Sequence, residues 1–162
     1  MSSATSIKFN RLEELLERLE NKVYPEPSSH LHCDITQKAF AHLMKLKPLH
    51  AAMRVLDVGC GQGPALELFK KTGVTAVGIT LGEDDIAACR SRGYTVTRMD
   101  QSFLDFADKT FDVVWARHVI EHSVFPLFTL HEYSRVMRDS GILYIEIPAP
   151  DTACHHERNI NH

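Results

Sequence analysis

Val55-Leu56-Asp57-Val58-Gly59-Cys60-Gly61-Gln62-Gly63 is an apolar run that stops in three glycines, each separated from the next by one residue. The run reads as a buried strand. The glycines read as its closing turn, where a backbone without side chains can press against a flat or charged ligand. Pro64 and the apolar positions after it open a helix. Strand, glycine turn and helix in that order form a nucleotide-type crevice at the carboxyl end of a parallel strand.

Working outward toward the C-terminus, strands and helices alternate. Pro64 to Lys71 is a helix stopped by Gly73, Thr75 to Thr80 a second strand, and Glu83 to Ser91 a helix closed by Gly93. Tyr94 to Met99 and Phe111 to Ala116 follow as the third and fourth strands. Pro126 opens a helix carrying Leu127, Leu130, Tyr133, Val136 and Met137, which Gly141 ends. Ile142 to Ile147 is the fifth strand, stopped by Pro148 and Pro150. This alternation predicts an α/β fold, a doubly wound, mostly parallel Rossmann-like sheet of at least five strands. The first and fourth strands come closest to continuous apolar runs, which places them at the centre. The ligand crevice then lies beyond their carboxyl ends, floored by Gly59 to Gly63, with Thr80, Asp100 and Arg117 to His122 around it.

Toward the N-terminus, Asn10 reads as a helix cap with Glu13 reaching back, ahead of an apolar stripe of Leu12, Leu15, Leu16, Leu19 and Val23. That helix ends before Pro25 and Pro27 and serves for packing or as a lid. Ser28 to Cys33 reads as a loop, and Asp34 with Gln37 starts a second helix through Ala39, Phe40, Leu43, Met44 and Leu46, stopped at Pro48. The expected division is a helical cap or lid over 1–50, the Rossmann-like domain over 51–150 and a polar tail over 151–162. The spacing of His30, His32 and Cys33 fits no structural zinc pattern, and no metal site is expected. The tail from Asp151 to His162 is rich in side chains that bind metals or substrates, and reads equally as a polar loop.

A chain of 162 residues has room for one domain with a real core. Its 18 basic and 21 acidic residues give a net charge of −3 without a basic stripe, which makes nucleic acid a poor partner. The N-terminus lacks an apolar signal core and no run approaches a membrane span. Cys33, Cys60, Cys89 and Cys154 are scattered and read as reduced thiols, which points to the cytoplasm. Cys60 reads as filling space, and Trp115 as core or pocket edge.

The glycine spacing narrows the ligand. Dinucleotide turns favour Gly-x-Gly-x-x-Gly, whose last small residue lets the helix start pack close to a pyrophosphate. Here the sixth position is Pro64, and Asp57 precedes the turn. That pattern suits a ligand with no phosphates and a positively charged amine. Pro64 and Thr80 together disfavour a nicotinamide-dependent oxidoreductase.

Val55 to Gly63 resembles the first motif of class I S-adenosylmethionine-dependent methyltransferases. The similarity continues through Val77 to Asp85, Met99-Asp100-Gln101, Phe111 to Val114 with Ile120-Glu121-His122, and Gly141 to Pro148. The resemblance implies that Asp57 and the turn of Gly59, Cys60, Gly61, Gln62 and Gly63 hold the methionine end of S-adenosylmethionine. It implies that Asp100 meets the adenine amine and Gln101 lies beside the ring, with Ser102 and Arg117 among the cofactor contacts. Many members grip the ribose with an acidic residue at the end of the second strand, where this chain has Thr80. Gly78-Ile79-Thr80-Leu81 is similar instead to the branch that includes cyclopropane fatty acid synthases, where a polar side chain a few residues on helps hold the ribose. Asp85 stands at that place, with Glu83 as the nearer substitute.

A sulfonium is already an activated methyl donor. Positioning an acceptor in line can supply roughly 7–11 kcal/mol, whereas a general base typically adds about 10²- to 10⁴-fold. His118, Glu121 and His122 are the candidates for such a base, because they follow the fourth strand on the side where the methyl should point. Glu121 and His122 also read as loop-shaping residues bonded to local backbone. Tyr133 and Arg135 read as surface or packing residues. The resemblance also implies an antiparallel pair beyond the fifth strand. Its absence here predicts a fragment, or a chain that completes its sheet as a homodimer through the fifth-strand edge. The expected function is transfer of a methyl group to a small-molecule or lipid-like acceptor, leaving S-adenosylhomocysteine. The alternative is a non-catalytic or truncated cofactor-binding domain that acts through assembly with another chain.

Overall fold

A computed structural model describes residues 3–20 and 30–149. Val23, Pro25, Pro27, Ser28, Ser29, Pro150 and the tail from Asp151 to His162 lie outside the described residues, so the expectations placed on them are untouched. The elements run α1 (Ser3–Glu20), α2 (His30–Leu46), β1 (Arg54–Val58), α3 (Pro64–Thr72), β2 (Thr75–Thr80), α4 (Glu83–Ser91) and β3 (Thr95–Arg98). After them come β4 (Phe111–Arg117), a 3₁₀ turn (Ile120–His122), α5 (Pro126–Val136) and β5 (Met137–Glu146).

The five strands form one sheet in the order β3-β2-β1-β4-β5, and every pairing is parallel. β1 is the central strand, and the chain leaves it toward β2 on one side and returns at β4 on the other. The reversal of winding between β1 and β4 opens a crevice at their carboxyl ends, directly above the glycine turn. Alternation along β1 divides the core. Val55 joins Val113, Trp115 and Tyr144 under Ala39 and Leu43 of α2 and Ala65 and Phe69 of α3. Leu56 and Val58 join Ile79, Val114 and Ala116 under Tyr133 and Val136 of α5. Each fully buried side chain of this size contributes about 1.5–3 kcal/mol. On the first face the rings stack in sequence: Phe69 meets Trp115 edge-on at 5.6 Å, and Trp115 lies flat on Tyr144 at 4.5 Å. Trp115 is therefore core.

Three expectations are corrected. Helix α1 starts at Ser3 rather than at Asn10, because nothing between them breaks a helix; of its apolar stripe Leu12 and Leu16 are half-buried and Leu15 is 40% exposed. Helix α2 starts at His30 rather than Asp34, so the expected loop carrying His32 and Cys33 is helical. The Thr36 hydroxyl donates to the His32 carbonyl at 2.7 Å, one turn back. Finally, α5 ends at Val136 and β5 already begins at Met137, five residues before the expected strand start. There Met137 pairs with Phe111, and Arg138 grips both carboxylate oxygens of Asp112 at 2.8 Å. The β4–β5 ladder takes up the surplus residues as an irregularity between Phe111 and Val113.

Candidate active site

The glycine turn is built by backbone conformations that other residues adopt at a cost. Gly59, Gly61 and Gly63 all have positive φ, at 67°, 47° and 83°. A Cβ on Gly59 would stand 2.7 Å from Cγ2 of Val119, so the turn packs directly against the segment after β4. A Cβ on Gly61 would meet nothing within 4 Å, so at this glycine the turn faces open space. The turn is tied down by the Cys60 N–H, which donates to Ile79 O at 3.0 Å, and by the Gly63 N–H, which donates to Cys60 O at 2.9 Å. Pro64 then occupies the first turn of α3, where its missing N–H is no loss.

Asp57 stands two residues before this turn, only 3% exposed, and its Oδ2 is buried with no hydrogen-bond partner among the described residues. Burial holds its carboxyl well above the usual carboxylate range. The nearby Cys89 adds to the rise, and the Arg117 guanidinium opposes it. An unpartnered buried carboxylate oxygen at the head of a crevice is a receptor for a hydrogen-bond donor, and a cationic donor most of all. Cys60 and Cys89 flank the turn, with both thiols directed at the Gly61 carbonyl at 3.6 and 3.2 Å. Their mutual hydrogen bond pushes Cys60 far up, with burial adding to it, and draws Cys89 down. Cys60 is thus buried, as expected of a space-filling residue, and polar contacts hold it as well.

The far side of the crevice is a network that sequence reasoning did not assemble. Asp100 Oδ1 accepts the Ser102 N–H at 2.6 Å, and Ser102 Oγ lies 2.8 Å from Thr129 Oγ1 of α5 and 3.3 Å from Ser123 Oγ. The Gln101 amide donates to the Val119 carbonyl at 2.7 Å and accepts from the Tyr133 hydroxyl at 2.6 Å. The loop after β3 is thereby fixed to the segment after β4 and to α5. Arg135 secures the rest of that loop through the carbonyls of Leu104 and Phe106, both at 2.7 Å, and through Asp108. Tyr133 and Arg135 are therefore supports of the crevice wall, and Tyr133 is fully buried.

Other candidates are placed less simply. β2 ends at Thr80, with Leu81 just beyond it, and Glu83 pairs with Arg98 at 3.3 Å. Asp85 is buried, its Oδ2 lying 2.9 Å from where a Gly82 Cβ would be, so the missing side chain of Gly82 makes its place. Gln62 is half-buried, and its carbonyl accepts from Arg92 at 3.0 Å. Arg117 reaches Thr36 and Glu146. His118 has a φ of 50°, a left-handed conformation that is uncommon for a side-chain-bearing residue. Its Nδ1 stands 3.9 Å from Oε1 of Glu121. Both Glu121 carboxylate oxygens are buried without a hydrogen-bond partner among the described residues. His122 is exposed. No group of three His, Cys, Asp or Glu side chains placed to hold a metal ion occurs among the described residues. No described helix is long and apolar enough to cross a membrane.

A parallel sheet of this order with a glycine turn at its switch point is the arrangement of class I S-adenosylmethionine-dependent methyltransferases. The chain belongs to the methyltransferase domain family, which it matches over residues 11–162. It is similar to the 27-O-demethylrifamycin SV methyltransferase of Amycolatopsis mediterranei (strain S699), at 28% identity over 147 residues, covering 83% of this chain and 54% of that protein. Among solved structures, the PH0226 protein from Pyrococcus horikoshii OT3 superposes with a TM-score of 0.67 at 29% identity, covering 75% of this chain and 60% of that one. The cyclase SpnF superposes with a TM-score of 0.62 at 28% identity, covering 70% and 44% respectively. The chain spans about half the length of the curated relatives it matches. The family's cofactor is S-adenosylmethionine. The site fits it: a sulfonium amino acid brings an ammonium group for the orphan Asp57 oxygen and no phosphate for the turn.

Proposed function

We propose that this chain holds S-adenosylmethionine in the crevice above β1 and β4 and serves the transfer of its methyl group to a small-molecule acceptor. The observation that carries this reading is the buried, unpartnered Oδ2 of Asp57 beside an open-faced Gly61. S-adenosylmethionine supplies the activated methyl as a sulfonium. Asp57 receives the ammonium of its methionine end, and Gly59, Cys60, Gly61, Gln62 and Gly63 present backbone to the same end. Asp100, Gln101 and Ser102 border the adenine, and Thr80, Leu81 and Asp85 the ribose. His118, Glu121 and His122 stand where an acceptor would approach. Glu121 is the strongest base candidate of the three, because both of its carboxylate oxygens lack a hydrogen-bond partner among the described residues and can accept a proton. Residues 1–50 form the helical cap, 51–150 the cofactor domain and 151–162 the tail. The reduced thiols at the turn suit a cytoplasmic setting.

Isothermal titration with S-adenosylhomocysteine tests this reading, with NAD as competitor. Saturable binding of S-adenosylhomocysteine is expected. Binding of NAD in its place would overturn the assignment. A second reading is favoured by one observation, the likeness to a cyclase on the same fold: the chain binds the cofactor without methylating, and acts by assembling with another chain. The outer edge of β5, which pairs with β4 alone among the described strands, is the surface for such pairing, including with a second copy of this chain. Binding without turnover on any acceptor in a metabolite screen, together with a dimer by light scattering, would select that reading.

A further inference from the structure

Arg117 closes β4 two residues beyond Trp115, and Trp115 pairs with Asp57 across the β1–β4 ladder. Alternate residues of a strand share a face, so Arg117 lies on the same side of the sheet as Asp57, one step further toward the crevice. Its guanidinium is nearly enclosed, with the side chain 9% exposed, and lies over the Trp115 ring at 5.6 Å. Nη1 donates to Thr36 Oγ1 of α2 at 2.8 Å, and Nε donates to one carboxylate oxygen of Glu146 at the end of β5. The other Glu146 oxygen accepts the Tyr144 hydroxyl at 3.0 Å. Thr36 spends its own proton on the His32 carbonyl, so its oxygen is oriented to accept from Arg117. Thr36 is 4% exposed, which makes this contact a buried polar anchor of α2, next to the apolar anchors Ala39 and Leu43.

We propose that Arg117 is a positioning residue of the methyl-transfer site: it locks α2 over the carboxyl ends of β4 and β5 and sets a fixed positive charge on the face of the sheet where Asp57 receives the cofactor's amine. The inference rests on the reading of Asp57 as the amine receptor. Arg117, Glu146 and an ionised Asp57 together carry one net negative charge, which suits this face of the sheet to an ammonium. A guanidinium remains charged at any physiological pH, so this compensation is permanent. Among the other titratable groups, Cys89 of α4 and Cys60 of the turn act electrostatically with Asp57, and Asp85 acts on Cys60, while α2 contributes the neutral Thr36 to the Arg117 contact. Arg117 thus acts on the cofactor through Asp57, its own donors already given to Thr36 and Glu146.

Binding of S-adenosylhomocysteine between pH 5 and 9 tests this, in the wild-type chain and in Arg117→Met, Glu146→Gln and Thr36→Val. The control probe is 5′-methylthioadenosine, which keeps the adenosine and lacks the amino-acid part. Loss of the guanidinium in Arg117→Met is expected to move the acid limb of binding to higher pH by about one unit or more. Glu146→Gln leaves that guanidinium uncompensated and is expected to move the limb to lower pH. Thr36→Val is expected to leave the limb in place and weaken S-adenosylhomocysteine about 3- to 10-fold. Binding of 5′-methylthioadenosine should stay at the wild-type value in all three. A limb that stays put in Glu146→Gln, or moves the same way in both charge variants, overturns the proposal. Equal loss of both probes in a folded variant overturns it as well. If Arg117→Met does not fold, the direction of the Glu146→Gln shift decides alone. Failure of the wild-type chain to bind either probe would instead refute the cofactor reading itself.

Discussion

Asp57→Asn should make the ligand-free protein more stable and the cofactor site far weaker. The substitution keeps the shape of the side chain and removes its charge. In the free protein Asp57 is buried with an unpartnered oxygen, and burial raises its carboxyl above the usual range, so ionising it opposes folding. The sign follows from linkage. A carboxyl whose folded pKa lies above its unfolded one contributes stability that is fully present below the unfolded pKa of about 4 and is lost as the pH rises through the folded pKa. Wild type and Asp57→Asn should therefore be nearly equal in stability near pH 4 and diverge toward pH 7, with the variant ahead by about 1–3 kcal/mol. For a chain of this size each kcal/mol moves Tm by roughly 2–4 °C. Affinity moves the other way, because removing one partner of a desolvated charge pair costs about 2–5 kcal/mol, or roughly 30- to 4,000-fold in Kd. Thermal unfolding at pH 4 and pH 7 without ligand, together with titration of S-adenosylhomocysteine, reads both. A variant less stable than wild type at pH 7, or one that keeps wild-type affinity, would refute the reasoning.

The glycine turn separates stability from binding in a second way. Gly61→Ala meets no neighbour, so it should cost only the left-handed strain of roughly 1–2 kcal/mol, yet abolish measurable S-adenosylhomocysteine binding by filling the open face. Gly59→Ala adds a collision with Val119 to the same strain and should lower Tm further than Gly61→Ala, as differential scanning fluorimetry would show. Glu132 accepts two hydrogen bonds from Arg135, at 2.8 Å each, and one from the Leu104 N–H at 3.1 Å. Arg135 holds its carboxyl below the usual range, so its contribution is present above about pH 4 and fades as pH falls. Glu132→Gln should destabilise by about 1–3 kcal/mol at pH 7 and by less at pH 3, measured by urea unfolding.

The sequence carried most of the fold because buried parallel strands and glycine stops are local signals. Val55 to Val58, Thr75 to Thr80 and the caps at Pro64 and Gly73 lie within a residue of where they were expected. What it could not carry was contact at long range. Met137 joins β5 because Phe111 and Asp112 are waiting for it and its neighbour, and no periodicity in residues 137–141 announces that pairing. The same holds at the site. The order of Asp57, the turn and Asp100 was legible, while the wall that fixes Asp100 depends on Ser123, Thr129 and Tyr133, whose hydroxyls matter only once α5 has docked. Thr36 and Glu146 were invisible for the same reason, being ordinary until Arg117 comes between them.

That last contact spans 81 positions of the chain. Closing so wide a loop gives little return until the sheet between its ends has assembled, so the contact belongs to the final stage of folding. Hydrogen exchange at the first turns of α2 should report opening of the cap long before the amides of β1 become exchangeable. A ligand that needs both Asp57 and a docked α2 would then bind the finished chain alone, and its affinity would serve as a gauge of how completely any variant has folded.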